Sequence, residues 1–197
     1  MKNEEILKVL ITYKSTIDSL IQTISEEIRE SELKKSNGID YVKLSKKAKK
    51  ILAKNEKDSF KTATMEKIDG KEMQVFFDNG YYAVALYRPL DVPMDKADKI
   101  FNGASVFERR KNNTYKETAY DIVEIKLALV NATDKEHAYV EVGSTHYTAQ
   151  YFLNIVEFLG GSEKTKFYQC EDKTGLAYFE SEFGKALLCP IRPVPKV

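Results

Sequence analysis

The residues that carry chemistry in this chain are few and widely spaced. Its only histidines, His137 and His146, stand nine positions apart, and neither belongs to an H-E-x-x-H pattern. Together with Cys170 they hold zinc-ligand atoms, but no spacing here fixes a tetrahedral set. Asp69, Asp78 and Asp172 fall in turn-like contexts, where bonding of the side chain to nearby backbone explains an aspartate better than two-metal chemistry does. Gly160-Gly161 is not a phosphate loop, since no G-K-[ST] follows. These patterns point to no enzyme, no metal and no cofactor. The strongest charged feature is a run of lysines at 43, 46, 47, 49, 50, 54 and 57, offset within that window only by Glu56. Lysines at such spacing supply point charge to a phosphate backbone without reading bases. A solvated helix face accounts for the same run more simply.

The elements that position these residues follow from composition and periodicity. The chain has 197 residues, 43% of them apolar, which suits one domain or two small ones. Charged residues make up 31%, yet formal net charge is +1, too balanced for a strong nucleic-acid binder. No run of eighteen apolar residues occurs, and the opening MKNEEILKVLITYK places acids before a short apolar run, so neither a membrane span nor a signal peptide is expected. Cys170 and Cys189 fall in predicted strands; two buried thiols of a cytoplasmic protein are expected rather than a disulfide.

Glu4 to about Lys35 reads as one long amphipathic helix, with Ile6, Val9, Leu10, Tyr13, Ile17, Leu20, Ile21, Ile24 and Ile28 at three- and four-residue steps. Its apolar stripe must be covered, by the rest of the chain or by a second copy. Tyr41 to Leu44 reads as a short strand, and Ser45 as the cap of a helix over residues 46–55. Strands follow over 59–68, 72–77 and 81–87, the first two joined by Asp69-Gly70, a strong hairpin signal. A proline-interrupted connector spans 90–110, with one or two helical turns near Met94 to Phe101 broken by Gly103. Residues 118–130 are ambiguous between strand and helix and are assigned as strand. Tyr139 to Val142 is extended. Tyr147, Phe152, Ile155, Val156 and Leu159 then mark a helix that Gly160-Gly161 stops. Strands over 165–170, 176–180 and 185–189 close the chain before Pro190. Both 41–88 and 139–190 thus read as strand, helix and three strands, a weak internal repeat.

That order, with the ending Cys189-Pro190-Ile191-Arg192, resembles the last half-domain of a bacterial-type DNA polymerase sliding clamp, whose chain ends close to Met-Pro-Met-Arg or Met-Pro-Val-Arg. The resemblance covers the last quarter of the chain well and the middle loosely, and leaves out the first forty residues. It implies an α+β architecture: a DNA-clamp-like domain of two strand-helix-three-strand halves over residues 38–197, preceded by a long helix over residues 1–37. It also implies a noncatalytic accessory protein that tethers replication or repair partners to DNA. Lys43, Lys46, Lys47, Lys50 and Lys54 would then face duplex DNA independently of its sequence. Leu187, Cys189, Pro190, Ile191 and Arg192 would line a groove for a peptide motif of a polymerase or repair protein. Cys189 stands where the family has Met, which shortens the groove wall, and Pro193 to Val197 run past the family's usual end. Clamp subunits carry two or three domains and six domains close the ring, so a chain with room for one would need a homo-oligomer to encircle DNA. The alternative is a phage- or plasmid-type protein-binding module with a clamp-like fold and no DNA encirclement.

Overall fold

Turn chemistry and alternation shape most elements of the computed structural model, which describes residues 11–25, 38–95, 102–135, 137–172 and 174–191. The chain divides into two compact units, residues 1–41 and 42–197. In the first, residues 11–25 form helix α1. The remainder of the helix expected over Glu4–Lys35 lies outside the described residues.

The second unit is a mixed α+β domain with several helices and two sheets. Helix α2 (Tyr41–Lys54) leads into a meander of β1 (Thr64–Ile68), β2 (Lys71–Asp78) and β3 (Tyr82–Leu86). Helices α3 (Gly103–Arg109) and α4 (Ile122–Asn131) flank a short strand, β4 (Tyr115–Glu117). A separate hairpin of β5 (Tyr139–Val142) and β6 (Thr145–Thr148) precedes helix α5 (Ala149–Phe158). A second meander follows, of β7 (Lys166–Cys170), β8 (Ala177–Ser181) and β9 (Gly184–Leu188). The large sheet runs β1-β2-β3-β9-β8-β7-β4, antiparallel throughout. The two meanders therefore join through their last strands, with Tyr82 opposite Leu188, Val84 opposite Ala186 and Leu86 opposite Gly184.

Every residue of β3 and β9 is buried, because both faces of the sheet are covered. Side chains alternate between the faces. On one face Met73, Val75, Phe77, Ala83, Ala85 and Leu187 pack with Phe107 of α3. On the other, Phe76 meets Phe158 of α5 edge-on at 5.1 Å, and Phe152 of α5 sits 4.9 Å from Phe179 and 5.2 Å from Phe167. Burial of each such ring stabilises the fold by roughly 1.5–3 kcal/mol. Two glycines answer to backbone geometry. Asp69 (φ 48°) and Gly70 (φ 81°) both occupy the left-handed region that the two-residue turn between β1 and β2 requires. A Cβ at Gly184 would stand 2.2 Å from the Ala85 carbonyl oxygen, so only glycine lets β9 close on β3.

Several expectations are corrected, among them the strand over 59–68, which begins only at Thr64 because Asp58–Phe60 forms a helical turn. Tyr41–Leu44 is the first turn of α2 and not a strand, because Leu44, Ala48 and Leu52 continue one buried helical face through it. Ser45 lies inside that helix, and its hydroxyl accepts from the Asp91 N–H at 3.1 Å instead of capping. The first half is thus a helix and three strands, while the second is preceded by a hairpin that claims Tyr147 for β6. Residues 122–131 are helical and not extended, since Asp121 caps them by accepting from the Val123 N–H at 2.7 Å and Ile125 is fully buried. Gly103 opens α3 and does not break a helix, with the Asn102 side chain accepting from the Ser105 N–H. Most of Met94 to Phe101 lies outside the described residues.

Candidate functional site

The lysine run sits on α2, but its charges are not uniformly available. Glu157, from α5, receives Lys43 at 2.8 Å and Lys47 at 2.5 Å. Partial burial pushes the Glu157 carboxyl upward, and hydrogen bonds from Lys43 and Lys47 outweigh it and hold it below its ordinary value. Lys47 also lies 5.6 Å from the centre of the Phe158 ring. Lys49 pairs with Asp91 at 2.7 Å. Lys46, Lys50 and Lys54 remain exposed. Helix α5, which precedes the second meander, carries no basic residue, and α4 packs along it.

The expected groove residues separate by exposure. Leu187 is enclosed among Met73, Ala83, Phe107 and Tyr178, with 1% of its surface exposed. Cys189 follows the end of β9 and is half-buried; burial pushes its thiol up. Its N–H donates to the Tyr81 carbonyl at 2.9 Å and its thiol to the Gly80 carbonyl at 3.4 Å. Pro190 and Ile191 are also half-buried, and the Ile191 N–H donates to the His146 carbonyl of β6 at 2.9 Å. Arg192 lies outside the described residues.

The bond from Cys189 ties the C-terminal segment to Tyr81, which lines a cleft of about 740 Å³; Leu187, Cys189, Pro190 and Ile191 are not among the residues that line it. Ile51 and Lys54 come from α2, Asp78 and Tyr81 from the β2–β3 turn, and Gln150, Tyr151 and Asn154 from α5. Tyr81, 49% exposed, stacks on Tyr151 with ring centres 5.4 Å apart. Beneath this pair runs a polar chain. Gln150 donates to Asn154 at 2.8 Å, and Asn154 donates to the buried Tyr82 hydroxyl at 3.3 Å. The Tyr82 hydroxyl in turn donates to Asp78. Burial raises Asp78 above the usual carboxylate range, against that hydrogen bond and the nearby Lys54 charge. Burial, then the charge of Asp78, lifts Tyr82 as well.

Asn55 holds the turn that presents Tyr81. Its amide donates to the carbonyls of Phe60 (2.6 Å) and Phe77 (2.8 Å), and its oxygen accepts from the Asn79 N–H at 2.6 Å. The arrangement offers an aromatic shelf, a row of amide and hydroxyl groups, and an exposed cation in Lys54. Such a surface can stack on an apolar group and hydrogen-bond a polar one.

Sequence reasoning missed Tyr81, Tyr151, Asn154 and Asp78 as a set. One signal was present: Asn154 interrupts an otherwise apolar helical face, and it is 6% exposed. A buried amide is costly unless partnered. Among the described residues, no group of three or more His, Cys, Asp or Glu side chains is placed to hold a metal ion, and no helix is long and apolar enough to cross a membrane. Comparison with protein-family models, with curated proteins and with solved structures finds no match for this chain.

Proposed function

We propose that this protein is a noncatalytic binding module, built from two clamp-like halves, that captures an extended segment of a partner protein without encircling DNA. The observation that carries the reading is the cleft, where the Tyr81–Tyr151 shelf of two different halves is braced from behind by Cys189. That segment is the one whose ending resembles the peptide-binding edge of sliding clamps. The pairing of two helix-and-meander halves through β3 and β9 supports the likeness in fold. The surface of the helices speaks against a DNA channel. Glu157 pairs with both Lys43 and Lys47 and offsets one of their two charges, α5 offers no cation, and α4 lies along it. Duplex binding through condensed-counterion release needs a continuous set of unpaired cations.

The second reading, a sliding-clamp-like accessory protein that tethers replication or repair partners to DNA, rests on exposed Lys46, Lys50 and Lys54. Retention on nicked circular DNA but not on linear DNA would favour it over the first.

The test is selection of short random peptides displayed on phage against the full chain, with Tyr81→Ala and Cys189→Glu as comparisons. Enriched peptides should bind the native protein at about micromolar strength and each variant at least about tenfold more weakly. Peptides that bind all three proteins equally, or no enrichment over the Tyr81→Ala protein, would refute the cleft as the site.

A further inference from the structure

We propose that the segment captured by the cleft is proline-rich and is held in the polyproline II conformation on the Tyr81–Tyr151 shelf, an inference that rests on the reading of the cleft as a peptide site. Peptides are held on protein surfaces in a few ways, each needing something different of the surface. The cleft meets the needs of one.

Adding a strand needs an open sheet edge. β2 ends at the cleft and β3 starts beside it, and both are internal to the large sheet. β6 pairs with β5 along one side and meets Ile191 at His146 on the other. Laying down a helix needs a long apolar groove, whereas Ile51 supplies the aliphatic lining here. Gripping an acidic or phosphorylated motif needs clustered cations, above all arginines. In the cleft Lys54 and Lys135 are matched by Glu56 and Asp78, and no arginine is among the described lining residues. Capturing a terminal carboxylate needs free N–H groups in a turn. In the β2–β3 turn the Asn79 N–H donates to the Asn55 side chain at 2.6 Å, and the Tyr81 N–H to the Asp78 carbonyl at 2.7 Å.

Aromatic rings beside amide donors are what the cleft does offer. Tyr151 stands between Tyr81, with ring centres 5.4 Å apart, and the buried Tyr82, at 5.5 Å. The outer ring, Tyr81, is therefore backed by two others and is 49% exposed. A proline ring packing on it would order little that is not already stiff, in the ligand or in the shelf. The donors are on α5. Asn154 lines the cleft although it is 6% exposed. An amide nitrogen carries two hydrogens. One from Asn154 goes to the Tyr82 hydroxyl and one from Gln150 goes to Asn154, and among the described residues no acceptor takes the second of either. A polyproline II segment makes no internal hydrogen bonds, so its carbonyls are open to such donors. It also needs no charge partner, which suits a cleft whose acids and bases balance.

The experiment is fluorescence anisotropy of the full chain with a labelled, end-blocked oligoproline peptide and a labelled alanine–serine peptide of the same length. The oligoproline should bind at least about tenfold more tightly, since its conformation is formed in advance. Tyr81→Ala should weaken it at least about tenfold, and Tyr81→Phe, which keeps the ring, should restore it. Gln150→Ala should weaken it about fivefold, the worth of one neutral hydrogen bond. Lys54→Ala and added salt should leave it unchanged, because no charge is being recognised. Thermal melts report separately that each variant is folded. An oligoproline that binds no better than the alanine–serine peptide, or that binds Tyr81→Ala as tightly as the native chain, overturns the proposal. Peptides selected from a random phage library show which reading has failed. If they bind the native chain, lose affinity in Tyr81→Ala and contain no run of prolines, the cleft is a peptide site and its polyproline preference is refuted. If neither they nor the oligoproline bind, both readings fall.

Discussion

Replacing Asp69 with asparagine should destabilise the domain by about 2–3 kcal/mol, less than the roughly 3–5 kcal/mol expected when a fully buried ion pair loses one partner. Asp69 sits in the turn between β1 and β2, and its carboxylate receives Lys185 at 2.5 Å, Arg110 at 2.6 Å and Lys111 at 3.2 Å. Lys185 is the critical partner: it lies on β9, its side chain is 9% exposed, and its remaining acid, Glu180, is 3.6 Å away. Arg110 is meanwhile held over the Tyr178 ring at 4.3 Å, so it cannot follow water easily. Asparagine keeps the left-handed turn geometry that Asp69 adopts, so the substitution tests charge and not backbone. The discount from the buried-pair value reflects the 27% exposure of the Asp69 side chain and the survival of Glu180. Urea unfolding followed by circular dichroism should show a lower midpoint with an unchanged slope. The melting temperature should fall by about 5–10 °C. The pH dependence gives an independent check. The hydrogen bond from Lys185 holds the Asp69 carboxyl well below its ordinary value. A depressed carboxyl contributes stability above its unfolded pKa of about 3.9 and loses it as pH falls towards the folded value. The difference between native and variant proteins should therefore be full at neutral pH and shrink below about pH 4. A destabilisation under about 0.5 kcal/mol, the range of ordinary surface changes, or a difference that does not vary in acid, would refute the reasoning.

Gly184→Ala should cost at least about 2 kcal/mol in the same urea assay, because its new Cβ meets the backbone of Ala85 and cannot be relieved by a side-chain rotation; a midpoint within error of native would mean that β3 and β9 are not so closely joined. Leu187→Ala should cost about 2–5 kcal/mol and Cys189→Ser under about 1 kcal/mol, since the first empties an enclosed site and the second changes a half-buried one. Equal losses would contradict their separate placement. Glu157→Gln should release Lys43 and Lys47 and steepen the log–log salt dependence of any duplex DNA binding by up to about two units, read by fluorescence anisotropy. An unchanged slope would show that neither lysine is withheld by Glu157.

Much of the fold was legible locally. The Asp69-Gly70 turn, the strand runs of β2 and β3, the glycines after α5 and the three closing strands are each written within a few residues, because turn chemistry and strand propensity are short-range properties. The apolar stripe over the described residues 11–25 of α1 was equally plain. What local pattern left open was settled by partners far along the chain. Tyr41–Leu44 has strand-forming residues, yet it is helical because Leu44 belongs to the buried face shared with Ala48 and Leu52. Residues 122–131 carried a helix period at Ile122, Ile125 and Leu129 and alternated poorly; the strand assignment followed the resemblance, and the buried place of Ile125 belongs to a helix. Whether a lysine is free is not a property of its own segment: Lys47 meets Glu157, 110 residues on, and Lys185 meets Asp69, 116 residues back. The same holds for the candidate site. Sequence alone marked Cys189, Pro190 and Ile191 through a resemblance at the chain's end. Only the pairing of β3 with β9 brought Tyr81, Tyr151 and Asn154 to the cleft beside them, since those residues share no motif and meet only when the two halves close.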